Sequence, residues 1–93
     1  LVVPKIETDY LFDLDDYYLK EILIFSKKIS SSLSKTVNCV RVGVSVVGLE
    51  VPHAHLHLIP FINEQDMSFS NKRIKMTNEE FLDLQSRIIK NLN

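Results

Sequence analysis

All three histidines of this chain fall within five residues, His53-Ala54-His55-Leu56-His57, followed by Leu58 and Ile59. The proton affinity of imidazole lies close to neutral pH, so it serves as nucleophile, proton carrier or metal ligand under ordinary conditions. Strict alternation with apolar residues reads as a β-strand running from about His53 to Ile59, with successive side chains on opposite faces. Ala54, Leu56 and Leu58 then enter a core, and His53, His55 and His57 form a row on the other face. Neighbours in that row sit about 6.6 Å apart, twice the ~3.3 Å rise per residue. Such a row can touch one small anionic group together.

Three chemistries fit a row of this kind. The plainest is none: histidines on a solvated sheet face, a reading that suits one histidine better than three in register. The second is metal binding. Three same-face positions span about 13 Å, and ligand bonds of ~2.0–2.1 Å do not easily draw all three to one centre. A metal site would use two of them with a distant carboxylate, for which Glu50 is near in sequence. The third is nucleophilic catalysis on phosphorus. A neutral imidazole nitrogen attacks a phosphoryl centre once its other nitrogen is fixed in one tautomer and donors surround the phosphate oxygens. A central histidine with a histidine on each side supplies such a set.

Ninety-three residues fit one domain, residues 1–93, and allow one modest core. Hydrophobic residues make up 45% and charged residues 25%, a balance that argues against disorder. A net charge of −1 provides no basic field to recruit nucleic acid or a membrane surface. The single cysteine, Cys39, cannot form an internal disulfide and reads as a small apolar filler. A reduced, cytoplasmic setting is the default expectation. The chain opens on Leu1-Val2-Val3-Pro4 with no initiator methionine. Such a bare apolar run needs a neighbouring strand, so the expectation is a domain whose first strands precede Leu1.

The remaining elements must position the histidine row. Leu1 to Pro4 reads as a short strand. Asp13 is a plausible N-cap, with Asp15 and Asp16 in the first turn of a helix. Tyr18, Ile22, Phe25, Ile29 and Leu33 continue that helix as a stripe to about Leu33, with Ser30-Ser31-Ser32 weakening its last turns. Val40 to Val47 alternates as a second strand. A brief Gly48–Pro52 connection then implies a tight antiparallel hairpin with the histidine strand, which Pro60 ends. Phe61 to Met76 lacks periodicity and reads as a surface excursion, its Lys72, Arg73 and Lys75 a solvated patch. Thr77 with Glu80 forms a capping box, and Phe81, Leu84, Ile88 and Leu92 carry a second helix to the C-terminus. The order β-α-β-β-α predicts an α+β fold with two helices on one face of an antiparallel sheet.

The run His53-Ala54-His55-Leu56-His57-Leu58-Ile59 matches the alternating signature of the histidine-triad (HIT) proteins. The longer stretch from Gly48 to Pro60 resembles the bacterial branch of that family, and Leu1-Val2-Val3-Pro4-Lys5 resembles its apolar-Pro-Lys strand ending. The resemblance covers most of the chain and implies a HIT-like fold. It further implies a nucleotide hydrolase or transferase acting at the α-phosphate of nucleoside phosphoramidates, dinucleoside polyphosphates or related conjugates. By the same resemblance His55 is the nucleophile, with its Nδ1–H held by the His53 carbonyl. His57 binds a phosphate oxygen, the His53 side chain helps fix the network, and Glu50 is a weaker substrate-binding candidate. No cofactor is implied, and the partners implied are a small-molecule nucleotide and a second copy in a homodimer whose sheets join.

Departures from the family pattern bear on activity. Glu7 stands where many members carry a fourth histidine. The hairpin before the triad reads as unusually short, and the family's asparagine and glycine-rich turn are not recognisable between Ser45 and Gly48. These features motivate an alternative, a non-catalytic nucleotide-binding or scaffold member of the family; a metal-dependent enzyme is the remaining alternative.

Overall fold

The computed structural model describes residues 1–92. Two helices and a two-stranded antiparallel sheet make an α+β fold: α1 (Asp16–Thr36), β1 (Arg41–Ser45), β2 (His57–Phe61) and α2 (Asn78–Lys90), with 3-10 turns at Leu11–Asp13 and Glu64–Met67. The expected first strand is reduced to one bridge. Val2 and Leu56 exchange both backbone hydrogen bonds, at 2.8 and 2.9 Å.

Helix α1 starts later and ends later than the sequence pattern suggests. Asp13 closes the 3-10 turn, and Asp15 takes the cap position with Asp16 in the first turn, where the helix dipole favours carboxylates. Ile22 is buried, but Phe25 of the expected stripe is exposed. The helix runs on through the serine-rich stretch to Thr36, and three hydroxyls along its second half are hydrogen-bonded. Ser26 Oγ donates to the Ile22 carbonyl at 2.6 Å, and Thr36 Oγ1 donates to the Ser32 carbonyl at 2.8 Å. Ser32, fully buried, donates to the Ile88 carbonyl on α2. That carbonyl lies in the last turn of α2, where helix acceptors have no partner within the helix. Asn91 Nδ2 reaches Thr36 Oγ1 at 2.9 Å and completes the junction of the two helix ends.

The strands are shorter than their alternating sequences. The ladder pairs Arg41 with Phe61, Gly43 with Ile59 and Ser45 with His57, so that residues 46–56 form the connection in place of a tight hairpin. Gly48 turns that connection at φ +73, a conformation glycine adopts without a Cβ clash. Pro60 does not end β2 but sits within it, opposite Val42. A two-stranded sheet leaves each strand an outer edge, where a missing N–H forfeits no ladder bond. His53 and His55 lie ahead of the strand, because their segment pairs with the N-terminal one. Ala54 N–H donates to the Thr8 carbonyl at 2.7 Å, and Leu56 is bridged to Val2. Side-chain alternation nevertheless persists through the segment. Ala54 and Leu56 are buried in one core with Val2, Leu11, Leu14 and Ile22, and Leu58 packs against it.

The capping box forms as expected: Thr77 Oγ1 accepts from Glu80 N–H at 3.2 Å, and Glu80 Oε1 accepts from Thr77 N–H at 3.1 Å. Helix α2 stops at Lys90, with the Asn91 N–H closing on the Arg87 carbonyl. In the excursion, the Asp66 carboxylate accepts from the Ile62 and Asn63 backbone N–H groups at 2.9 and 3.1 Å. These bonds hold it below the usual carboxylate range. The turn delivers Met67 onto β1 at Gly43, where an added Cβ would lie 2.5 Å from Met67 Sδ. A glycine leaves room for that approach without displacing the Met67 thioether. The excursion is thus docked on the sheet face that carries His57.

Candidate active site

The backbone of the 53–57 segment fixes the three imidazoles one after another. His53 Nε2 lies 3.0 Å from the Pro4 carbonyl oxygen, and His55 Nδ1 lies 2.8 Å from the His53 carbonyl oxygen. A carbonyl only accepts, so each of these nitrogens carries the proton and donates. Neutral His55 therefore presents an unprotonated Nε2. That atom has no protein partner among the described residues, where every buried side-chain nitrogen or oxygen is hydrogen-bonded. Nε2 therefore reaches the surface of the site although the residue as a whole is buried.

His57, the first residue of β2, sets its ring edge-on to His55 with centroids 5.0 Å apart. Phe69 also packs edge-on against His57, at 4.9 Å. Burial, then positive charge on His55, the Leu1 amino group and Arg73, all lower its proton affinity. It is therefore neutral at pH 7, able both to donate one hydrogen bond and to accept one.

Two grooves meet at this pair. His55 lines one of about 290 Å³ with Asp9, Tyr10, Phe12 and Gly48; the Tyr10 and Phe12 rings pack edge-on at 5.6 Å. His57 lines the other, about 700 Å³, with Asn38, Asp66, Phe69, Lys72 and Arg73. Of the candidate residues, the His55 and His57 rings thus come together, and His53 joins them through its backbone carbonyl while its ring turns to Pro4. Glu50 does not join them; it is exposed on the 46–56 connection, lines neither groove and makes no hydrogen bond to the histidines. Glu7 is also exposed, and the bond to His53 comes from the Pro4 backbone. Among the described residues no three His, Cys, Asp or Glu side chains converge to hold a metal ion, and no helix is long and apolar enough to cross a membrane.

The sequence reading missed several of these neighbours. Tyr10, Phe12 and Phe69 carry no spacing signal. Lys72 and Arg73 are exposed as expected of a solvated patch, but they also border the His57 groove. The Asn63/Asp66 cap, by contrast, is a local pattern that could have been read.

The HIT domain family model matches residues 1–64, which include the whole triad. A HIT-like protein of Borreliella burgdorferi, itself uncharacterised, is 28% identical over 99% of this chain and 72% of its own length. The crystal structure of a histidine triad protein from Sinorhizobium meliloti superposes with a TM-score of 0.79 at 20% identity, covering 96% of this chain and 70% of that one. A histidine triad protein from Marinobacter aquaeolei gives a TM-score of 0.77 at 18% identity, covering 97% and 70%. At these identities the two structures establish a shared fold. With the family match spanning the triad and its preceding helix, this chain belongs to the histidine-triad (HIT) family.

Proposed function

We propose that this protein is a nucleotidyl hydrolase or transferase that cleaves at the α-phosphate of nucleoside phosphoramidates or dinucleoside polyphosphates through His55. The observation that carries this reading is the bond from His55 Nδ1–H to the His53 carbonyl. It fixes the tautomer in which the Nε2 lone pair is available as nucleophile. Nε2 forms the new bond to phosphorus as the bond to the leaving amine or phosphate breaks; the leaving group takes the electron pair, and an amine leaving group also takes up a proton from solvent. The His55 ring becomes a nucleotidyl-imidazolium, whose charge the His53 carbonyl stabilises. Water then attacks the same phosphorus, releasing the mononucleotide and a proton and restoring His55. His57 donates to a phosphate oxygen beside the reacting centre, and the His53 ring, tied to Pro4, keeps the segment rigid. The protein acts without a metal and assembles as a homodimer; the outer edge of β1, unpaired among the described residues, supports strand-to-strand association.

The test is a denaturing quench at alkaline pH during turnover of adenosine phosphoramidate, followed by peptide mass spectrometry. The expected result is an adenylyl adduct on the peptide containing His55 in the wild type and none in His55→Ala. Normal turnover by His55→Ala would remove the assignment. Nucleotide binding by calorimetry without mononucleotide release would favour the non-catalytic alternative, to which the exposed Glu7 in place of a fourth histidine lends support.

A further inference from the structure

We propose that the groove beside His57 is an anion-binding subsite for the leaving group, bounded by Lys72 and Arg73, and that it favours polyphosphate leaving groups over neutral amines. This inference rests on the nucleotidyl-transfer reading of His55. Its physical basis is the contrast between the two grooves that meet at the histidine pair. The His55 groove contains Asp9 and no cation, with the aromatic rings of Tyr10 and Phe12; it suits an uncharged, planar portion of a substrate. The His57 groove contains two cations, the Asn38 amide and the Phe69 ring. Its one carboxylate, Asp66, accepts two backbone hydrogen bonds and stays charged, so Lys72 and Arg73 leave the groove with an excess of one positive charge toward an incoming anion.

Size and position agree with this assignment. A volume of about 700 Å³ falls within the ~300–1,000 Å³ range of small-molecule sites, large enough for a nucleotide-sized group. His57 joins the reacting centre to this groove: its ring packs edge-on against both His55 and Phe69, and it lines the groove itself. The fold brings the cations here because Met67 seats the excursion over Gly43, and the residues that follow pass along the His57 side of the sheet. Arginine presents a planar fork that matches phosphate oxygens, and lysine adds a mobile point charge. Both side chains are exposed, so their replacement removes charge without opening the core.

The experiment compares the full chain with its Lys72→Ala/Arg73→Ala variant on two substrates that share adenosine and its α-phosphate. One, diadenosine tetraphosphate, expels a polyphosphate; the other, adenosine phosphoramidate, expels an amine. The ratio of kcat/KM for polyphosphate over phosphoramidate should fall by about tenfold in the variant, and the wild-type ratio should itself fall as salt rises. An unchanged ratio would overturn the subsite. Titration with inorganic triphosphate, followed through the His57 imidazole resonances, separates this inference from the proposed activity. If the wild type turns over neither substrate, the catalytic reading fails, while triphosphate binding that weakens severalfold in the variant still supports the subsite. Absence of triphosphate binding, or equal binding by both proteins, would overturn it.

Discussion

The Nδ1 of His55 lies 2.8 Å from the carbonyl oxygen of His53, so the residue proposed to attack phosphorus is oriented by the backbone of its neighbour and not by a side chain. Mutation of the two histidines should therefore have unequal effects. His55→Ala removes the nucleophile and should lower kcat/KM by at least about 10³-fold. His53→Ala keeps the orienting carbonyl and loses only the ring's bond to Pro4, so a loss of about tenfold is expected. Steady-state kinetics of both variants, with ¹⁵N spectra of the His55 tautomer, check the order; equal losses would contradict it.

His57 makes stability depend on pH in a definite direction. Burial first, then His55, the Leu1 amino group and Arg73, lower its proton affinity in the folded chain, whereas the unfolded chain retains the ordinary value of about 6.5. The unfolded state thus binds the proton more readily, and stability rises with pH across that window. The contribution is fully present above about pH 6.5 and is lost as pH falls through the lower folded value. Melting temperatures of wild type and His57→Gln, measured from pH 7.5 to 5, should differ in slope, with the variant less sensitive to acid. Parallel curves would count against the effect.

Ser32 joins α1 to α2, fully buried with its hydroxyl on the Ile88 carbonyl. Ser32→Ala should destabilise by about 1 kcal/mol through the lost hydrogen bond. Ser32→Leu should destabilise by about 1–3 kcal/mol or more, because the added carbons have no space between the helices. For a domain of this size each kcal/mol lowers Tm by about 4–8 °C, which calorimetry resolves. A Leu variant as stable as the Ala variant would show that the helix ends separate freely.

Gly43 and Met67 should be coupled. A Cβ at Gly43 would press on Met67 Sδ, so Gly43→Ala should loosen the excursion and destabilise by about 1 kcal/mol or more. In a Met67→Ala background the same change should be much milder. A double-mutant cycle from urea unfolding gives an expected coupling of about 0.5–3 kcal/mol; additive effects would mean that Met67 does not rest on β1. Hydrogen exchange at the Ile62 and Asn63 amides, bound to Asp66, should quicken in Gly43→Ala if the whole excursion lifts.

What the sequence determined by itself is local. The alternation at 53–57 dictates that Ala54 and Leu56 turn inward and the imidazoles away from them, because side-chain direction along extended backbone depends only on neighbouring residues. The Thr77–Glu80 box likewise needs only four consecutive residues, and the triad motif with its flanks was enough to identify the family. What the tertiary structure decided involves partners distant in the chain. The N-terminal segment, paired to residues 54–56, displaces the histidines from the strand their pattern suggests and limits β2 to His57–Phe61. The α2 carbonyl that accepts from Ser32 extends a helix that its serines alone would have frayed. Docking of Met67 on Gly43 sets Phe69, Lys72 and Arg73 along the groove of His57. None of these contacts has a periodicity to read, since each depends on which surfaces remain to be covered once the local elements have formed.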